Sequence, residues 1–189
     1  MLRRARWIPC LLAFLPIVAG CSGGGTVFVH PDVDFSHIRR CAVLPFQNLT
    51  EDAFAGKRME SIFLMEVLAS GTLIVVDPEE AAGAAAKLQI SPGSVPTPEQ
   101  VVALGKALSV EGVLLGSVED YGPLNRSGQQ GLQVTATFSL AETETGTVIW
   151  RSQVHVEGLS LWKRLFGGES ASLFDLSRKA ARKALGSLL

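Results

Sequence analysis

The side chains able to do chemistry in this sequence are few and scattered. The chain holds three cysteines, Cys10, Cys21 and Cys41, and three histidines, His30, His37 and His155. A structural zinc site wants Cys and His at short, recognisable spacings. These histidines have no such spacing, and no metal is expected. Cys41 opens the apolar run Cys41-Ala42-Val43-Leu44. A nucleophilic thiolate there would need a histidine or a cationic setting. Arg39 and Arg40 adjoin it, but no local pattern supplies a base, so a small buried hydrophobe is the preferred reading. The pairs Glu79-Glu80 and Glu119-Asp120 are material for general acid–base work. They fall at a helix start and a strand end, where a solvated surface is the simpler reading. Gly23-Gly24-Gly25 belongs to no strand-to-helix unit and is not a phosphate loop. The expectation is a non-enzyme, with no catalytic residue and no cofactor.

Cys21 is a cysteine of another kind. It follows Val18-Ala19-Gly20, and ahead of those lie Arg3, Arg4 and Arg6, then an apolar stretch from Trp7 to Ala19. A basic n-region, a short apolar h-region and small residues make a secretory leader. The stretch carries Pro9 and Pro16 and falls short of the ~20 apolar residues a spanning helix needs. With Cys21 at its end the segment resembles the bacterial lipobox, in which the thiol takes a diacylglycerol before cleavage. That resemblance implies a leader over 1–20, lipidation of Cys21 and, with Ser22 next to it, sorting to the periplasmic face of the outer membrane. Two or more acyl chains make such an anchor effectively stable. The sequons at Asn48-Leu49-Thr50 and Asn125-Arg126-Ser127 are accidents in that setting.

Charge and length limit what the mature chain does. The full sequence of 189 residues has 17 basic and 18 acidic side chains, 47% hydrophobic residues and 19% charged. Loss of three leader arginines leaves 14 basic against 18 acidic, a net −4. A nucleic-acid binder driven by bulk charge is excluded, and so is wholesale disorder. Once Cys10 leaves with the leader and Cys21 is acylated, Cys41 has no partner for an intramolecular disulfide.

The elements that would carry any site follow from pattern. Residues 21–36 read as a flexible tether, glycine-rich at first, and 37–189 as one domain. A strand is expected at 39–44, ended by Pro45. Asn48 or Thr50 is expected to cap a largely buried helix running to about Ser70 and stopping at Gly71. Leu73-Ile74-Val75-Val76 reads as a buried strand. Pro78 and the pair Thr97/Gln100 open two further helices. A strand at 112–118 and a polar loop over 120–131 follow. Residues 132–140 and 148–156 alternate and read as an antiparallel hairpin, with Ser152 breaking its apolar face. A last helix, about 170–188, sets Arg178, Lys179, Arg182 and Lys183 against an apolar side of Leu176, Ala180, Ala184, Leu185 and Leu188. The order β-α-β-α-α-β-β-β-α predicts an α/β fold, a single mixed sheet with helices packed on it.

Residues 42–52, Ala-Val-Leu-Pro-Phe-Gln-Asn-Leu-Thr-Glu-Asp, resemble the opening of the curli-export (CsgG-like) superfamily of bacterial lipoproteins, which includes penicillin-binding-protein activators. Gly71 to Asp77, Gly112 to Val118 and Thr145 to Trp150 are similar to later pieces of that pattern. The resemblance implies an anticodon-binding-domain-like α/β fold used without nucleic acid, with Pro45, Phe46 and Asn48 fixing a corner.

Three roles compete on this basis. The first is a non-catalytic accessory lipoprotein that binds an envelope protein in assembly or secretion. The second is an oligomeric export channel of the curli type, and the third an activator of a peptidoglycan synthase. The chain has no room for two added membrane hairpins, and a short tether reaches an inner-membrane enzyme poorly, so the first is preferred. The segment with Leu159, Leu161, Trp162, Leu165 and Phe166 beside Lys163 and Arg164 reads either as a satellite core under the last helix or as a partner or membrane-surface contact, with Trp162, Leu165 and Phe166 the contact residues. Residues 159–189 carry six basic and two acidic side chains. Partners are thus the membrane through Cys21, an envelope protein and further copies of the chain.

Overall fold

The computed structural model describes residues 25–31, 35–124, 131–159 and 171–188. They form seven strands and four helices. In chain order these are β1 (Gly25–Val29), β2 (Arg40–Val43), β3 (Gln47–Asn48), α1 (Ala55–Ser70), β4 (Ile74–Val75), α2 (Pro78–Lys87), α3 (Pro98–Leu108), β5 (Gly112–Pro123), β6 (Gly131–Glu142), β7 (Val148–Leu159) and α4 (Leu173–Leu185). One sheet runs β1-β7-β6-β5-β2-β4, with β3 also on β5. β5, β6 and β7 form an antiparallel meander, and β2, β3 and β4 join in parallel. The single mixed sheet with packed helices is thus observed.

Helices cover both faces of the β2 side of the sheet. α1 and α4 close one face over Met59, Phe63, Phe138, Leu140, Trp150 and Val154. On the other face α2 and α3 enclose Ala42, Leu44, Leu104 and Val113. Phe63 stacks on Phe138 with centroids 4.5 Å apart, and Phe46 meets both rings. The alternation of 132–140 and 148–156 has its cause here. Val134, Phe138, Trp150 and Val154 lie under helices, and Gln133, Arg151, Gln153 and Glu157 face the other way.

Helix ends follow their local chemistry. Thr97 and Gln100 make the expected capping box on α3, and Asp77 caps α2 ahead of Pro78. Gly71 ends α1 with φ of 67°, in the left-handed region glycine tolerates. A second box, Ser172 with Asp175, starts α4.

Several expectations need correction. Residues 25–29, assigned to the tether, form β1 on the edge of β7, because Thr26-Val27-Phe28-Val29 is itself a good strand sequence. Asn48 and Thr50 do not cap α1, which starts at Ala55 with no side-chain cap. Asn48 instead ties the preceding loop, donating from Nδ2 to the Asp52 carbonyl (2.8 Å) and accepting at Oδ1 from the Thr50 amide (3.1 Å). α1 is not buried over a wide arc: Met59, Phe63 and Val67 are enclosed, and Phe54, Met65 and Leu68 are exposed. The strand expected at 73–76 is a two-residue edge strand with Ile74 exposed. β5 runs on to Pro123 through a bulge at Glu119, into residues expected to be loop.

Candidate interaction surfaces

The structure puts Cys41, the pair Glu79-Glu80 and the pair Glu119-Asp120 on different elements. Cys41 is fully enclosed, and burial, helped by the nearby Glu111 charge, pushes its thiol up to about 12. It is a packing residue, as expected, and inert at neutral pH. Glu79 and Glu80 are exposed at the start of α2, their amides donating to Asp77. Glu119 sits at the β5 bulge, where burial raises its pKa. It accepts from the Ser117 hydroxyl at 2.5 Å, and its Oε2 finds no partner. Asp120, its sequence neighbour, is exposed.

Two histidines acquire partners that the sequence did not announce. His37 Nε2 lies 2.9 Å from Glu142 Oε1 on an open surface. On the polar face of the hairpin, Thr135 Oγ1 is 2.8 Å from His155 Nδ1, and His155 Nε2 is 2.9 Å from Glu157 Oε1. A hydroxyl, an imidazole and a carboxylate in series have the order of a nucleophile–base–acid set. No cleft lies over them among the described residues; the concave sites are lined by other groups. Thr135 and His155 are direct cross-strand partners, and cross-strand hydrogen bonding accounts for the contact. Among the described residues no group of three His, Cys, Asp or Glu could hold a metal ion.

Surfaces for association are better developed. β1 is exposed along its whole length, with Val27, Phe28 and Val29 43–48% exposed. The His30 amide donates to the Ile149 carbonyl. By the alternation of an antiparallel ladder, this turns the amides of Val27 and Val29 away from β7. The sheet therefore ends in an apolar strand whose edge takes no further strand among the described residues. Such an edge is a template for pairing.

α4 is amphipathic as expected, with Leu176, Ala180, Ala184 and Leu185 buried. Its basic side is partly engaged. Glu66 of α1 accepts from Arg178 Nε at 2.8 Å and from Arg182 Nε at 2.7 Å. Those hydrogen bonds, that to Arg182 first, hold the Glu66 carboxyl below the usual range. Lys179 and Lys183 remain exposed on the same side.

Cys21, Trp162, Leu165 and Phe166, the residues expected to be lipidated or to touch a partner, lie outside the described residues. The flanks of the second segment are described. β7 reaches Leu159, and a Cβ on Gly158 would stand 2.8 Å from Cβ of Ala171. Gly158 and Ala171 are thus neighbours. No helix among the described residues is long and apolar enough to cross a membrane.

No family model matches the sequence, and no curated protein matches it. Solved structures do share its fold. A single-substitution PelC dodecamer from Paraburkholderia phytofirmans is 22% identical, with a TM-score of 0.59 over 88% of this chain and 98% of that one. Lipoprotein GNA1162 from Neisseria meningitidis is 15% identical, with a TM-score of 0.56 over 79% of this chain and 99% of that one. The hypothetical protein CT253 from Chlamydia trachomatis is 14% identical, with a TM-score of 0.56 over 80% and 95%. At these identities the likeness is one of fold: the chain has the mixed α/β sheet of these proteins.

Proposed function

We propose that the chain is a lipoprotein anchored through Cys21 at the periplasmic face of the outer membrane, where it binds an envelope protein without catalysing a reaction. The observation that carries this reading is the apolar edge of β1, uncovered among the described residues, which begins four residues after the lipobox cysteine. A strand added there gains backbone hydrogen bonds and apolar contact together. Trp162, Leu165 and Phe166 are proposed as further contact residues. Four residues span about 14 Å at most. That keeps the domain on its own membrane and argues against reaching a synthase in the other one. The stretch from Ala42 to Asp52 supports a place among the curli-export-like lipoproteins.

A second reading is a ring of identical copies, favoured by the shared fold with a PelC dodecamer. Under it β1 pairs with a neighbouring copy. The β6–β7 hairpin makes a poor membrane barrel in either case, since α1 and α4 already cover its apolar face.

The test is the mass of the mature lipoprotein in mild detergent by light scattering, with cross-linking in cells. Val27→Pro removes an outward amide at an edge position where proline is tolerated. It should abolish the cross-linked partner, or the ring, and leave thermal unfolding of the domain nearly unchanged. Unaltered cross-links and mass in Val27→Pro would overturn the edge as the binding surface. Cys21→Ala should release the protein from membranes, and retention would overturn the anchor.

A further inference from the structure

Among the described residues, two of the three exposed phenylalanines, Phe54 and Phe174, sit at the end of the sheet toward which the N-terminus of β1 points. β1 is antiparallel to β7 with Gly25 opposite Val154, so the N-terminus of β1 points toward the Leu159 end. The same end holds the last rows of the meander, where Tyr121 pairs with Val134 and Val134 with Val156. Phe54, at the start of α1, is 65% exposed, and the Arg58 guanidinium lies 5.8 Å from its ring and 5.8 Å from the Tyr121 ring. Phe174, in the first turn of α4, is 55% exposed with the Arg178 guanidinium 5.7 Å from its ring. Leu49, 58% exposed, donates its amide to the Val118 carbonyl and so joins this end.

Resting on the lipidation of Cys21, we propose that this end of the sheet docks on the lipid surface itself. Phe54, Phe174 and Leu49 enter the headgroup–acyl boundary, and Arg58 and Arg178 lie at headgroup level. Three points favour a bilayer over another occupant. A tether of four residues holds this end within about 14 Å of the anchored cysteine. Aromatic and aliphatic side chains with arginines beside them are the composition of an interfacial surface. The two carboxylates nearest the phenylalanines in sequence are neutralised or occupied: Asp52 bonds Arg58 at 2.6 Å, and Asp175 closes the Ser172 box. Glu51 and Asp120 stay exposed, which suits a zwitterionic lipid surface better than a strongly anionic one.

The test places one environment-sensitive fluorophore on the full-length lipoprotein, at Phe54→Cys, Phe174→Cys or Leu68→Cys. Cys41 is buried and does not compete for label. Leu68 is exposed in the last turn of α1, away from the docking end, and serves as the control. The protein is reconstituted in phosphatidylethanolamine–phosphatidylcholine vesicles containing a headgroup-proximal nitroxide lipid. Labels at 54 and 174 should shift to the blue, be quenched by the nitroxide and resist iodide severalfold better than the label at 68. Labels at 54 and 174 as open to iodide as that at 68 would overturn the docking while vesicle flotation upholds the anchor. Protection from iodide without nitroxide quenching would assign the face to a second copy and also overturn it. If mass spectrometry finds Cys21 without acyl chains, the anchor fails alone. The same labels on protein mixed with vesicles then decide the docking, and wet labels reject it.

Discussion

Glu66 ties the two helices that cover the hairpin, and its replacement by Gln tests how much that tie contributes. Its side chain is 10% exposed and accepts two charged hydrogen bonds, at 2.8 and 2.7 Å. The donors are wetter, with Arg178 39% and Arg182 61% exposed. A buried hydrogen bond to a charged group contributes about 1.5–3 kcal/mol, and an exposed ion pair less than about 1. A buried acceptor with half-solvated donors falls between, so Glu66→Gln should lose about 1–2 kcal/mol in all. The pH dependence has a definite sign. The folded-state pKa is held below the ordinary value by Arg182 and Arg178. The stabilisation is therefore complete above the unfolded pKa of about 4.3 and is lost as pH falls through the lower folded value. Urea unfolding followed by circular dichroism should show the full gap between wild type and variant at pH 7. That gap should narrow below about pH 4 and narrow in part at high salt. Equal stability at pH 7, or a gap that ignores pH, would refute the reasoning and mean that water serves both guanidiniums as well as Glu66 does.

Other substitutions probe the packing around the same hairpin. A Cβ on Gly116 would lie 2.4 Å from Cε2 of the buried Phe46 ring, so Gly116→Ala should destabilise by about 1–3 kcal/mol as an overpacked site. An unchanged melting curve would show that the ring moves freely. Ser152, the polar residue that interrupts the apolar face of β7, is 1% exposed and its hydroxyl has no partner. Ser152→Ala should therefore stabilise by about 1 kcal/mol, read as a rise in the urea midpoint.

Much of this protein is legible in its sequence because the determining signals are local. The proline and capping box that open α3, the Asp77 cap of α2 and the stop at Gly71 each act within a turn of chain. The period of two in 132–140 and 148–156 marks a half-covered hairpin, since strand side chains alternate between faces. The inertness of Cys41 follows from its place in an apolar run. Signals that depend on what lies across space were missed. The same short apolar stretch reads alike whether it becomes a central or an edge strand, so β4 looked buried and β1 looked like tether. The apolar residues of α1 fill most of its circumference, and only the placement of α4 and the sheet decides that Met59, Phe63 and Val67 go in while Phe54, Met65 and Leu68 stay out.

The candidate surfaces divide the same way. A leader and a lipobox are linear signals, so the proposal of Cys21 as the anchor rests on the sequence alone. Which end of the domain faces that anchor depends on β1 running antiparallel to β7, a pairing across more than a hundred residues. The exposed apolar edge arises because, among the described residues, β7 has one partner strand from the meander and one from the N-terminal stretch, and β1 has only β7. Sequence determined the alternation and the caps of α2 and α3, and it alone is the ground for proposing Cys21 as the attachment point, because each is written within a few consecutive residues. Tertiary structure alone decided which apolar residues remained in water, because burial is a property of what two distant segments do to each other.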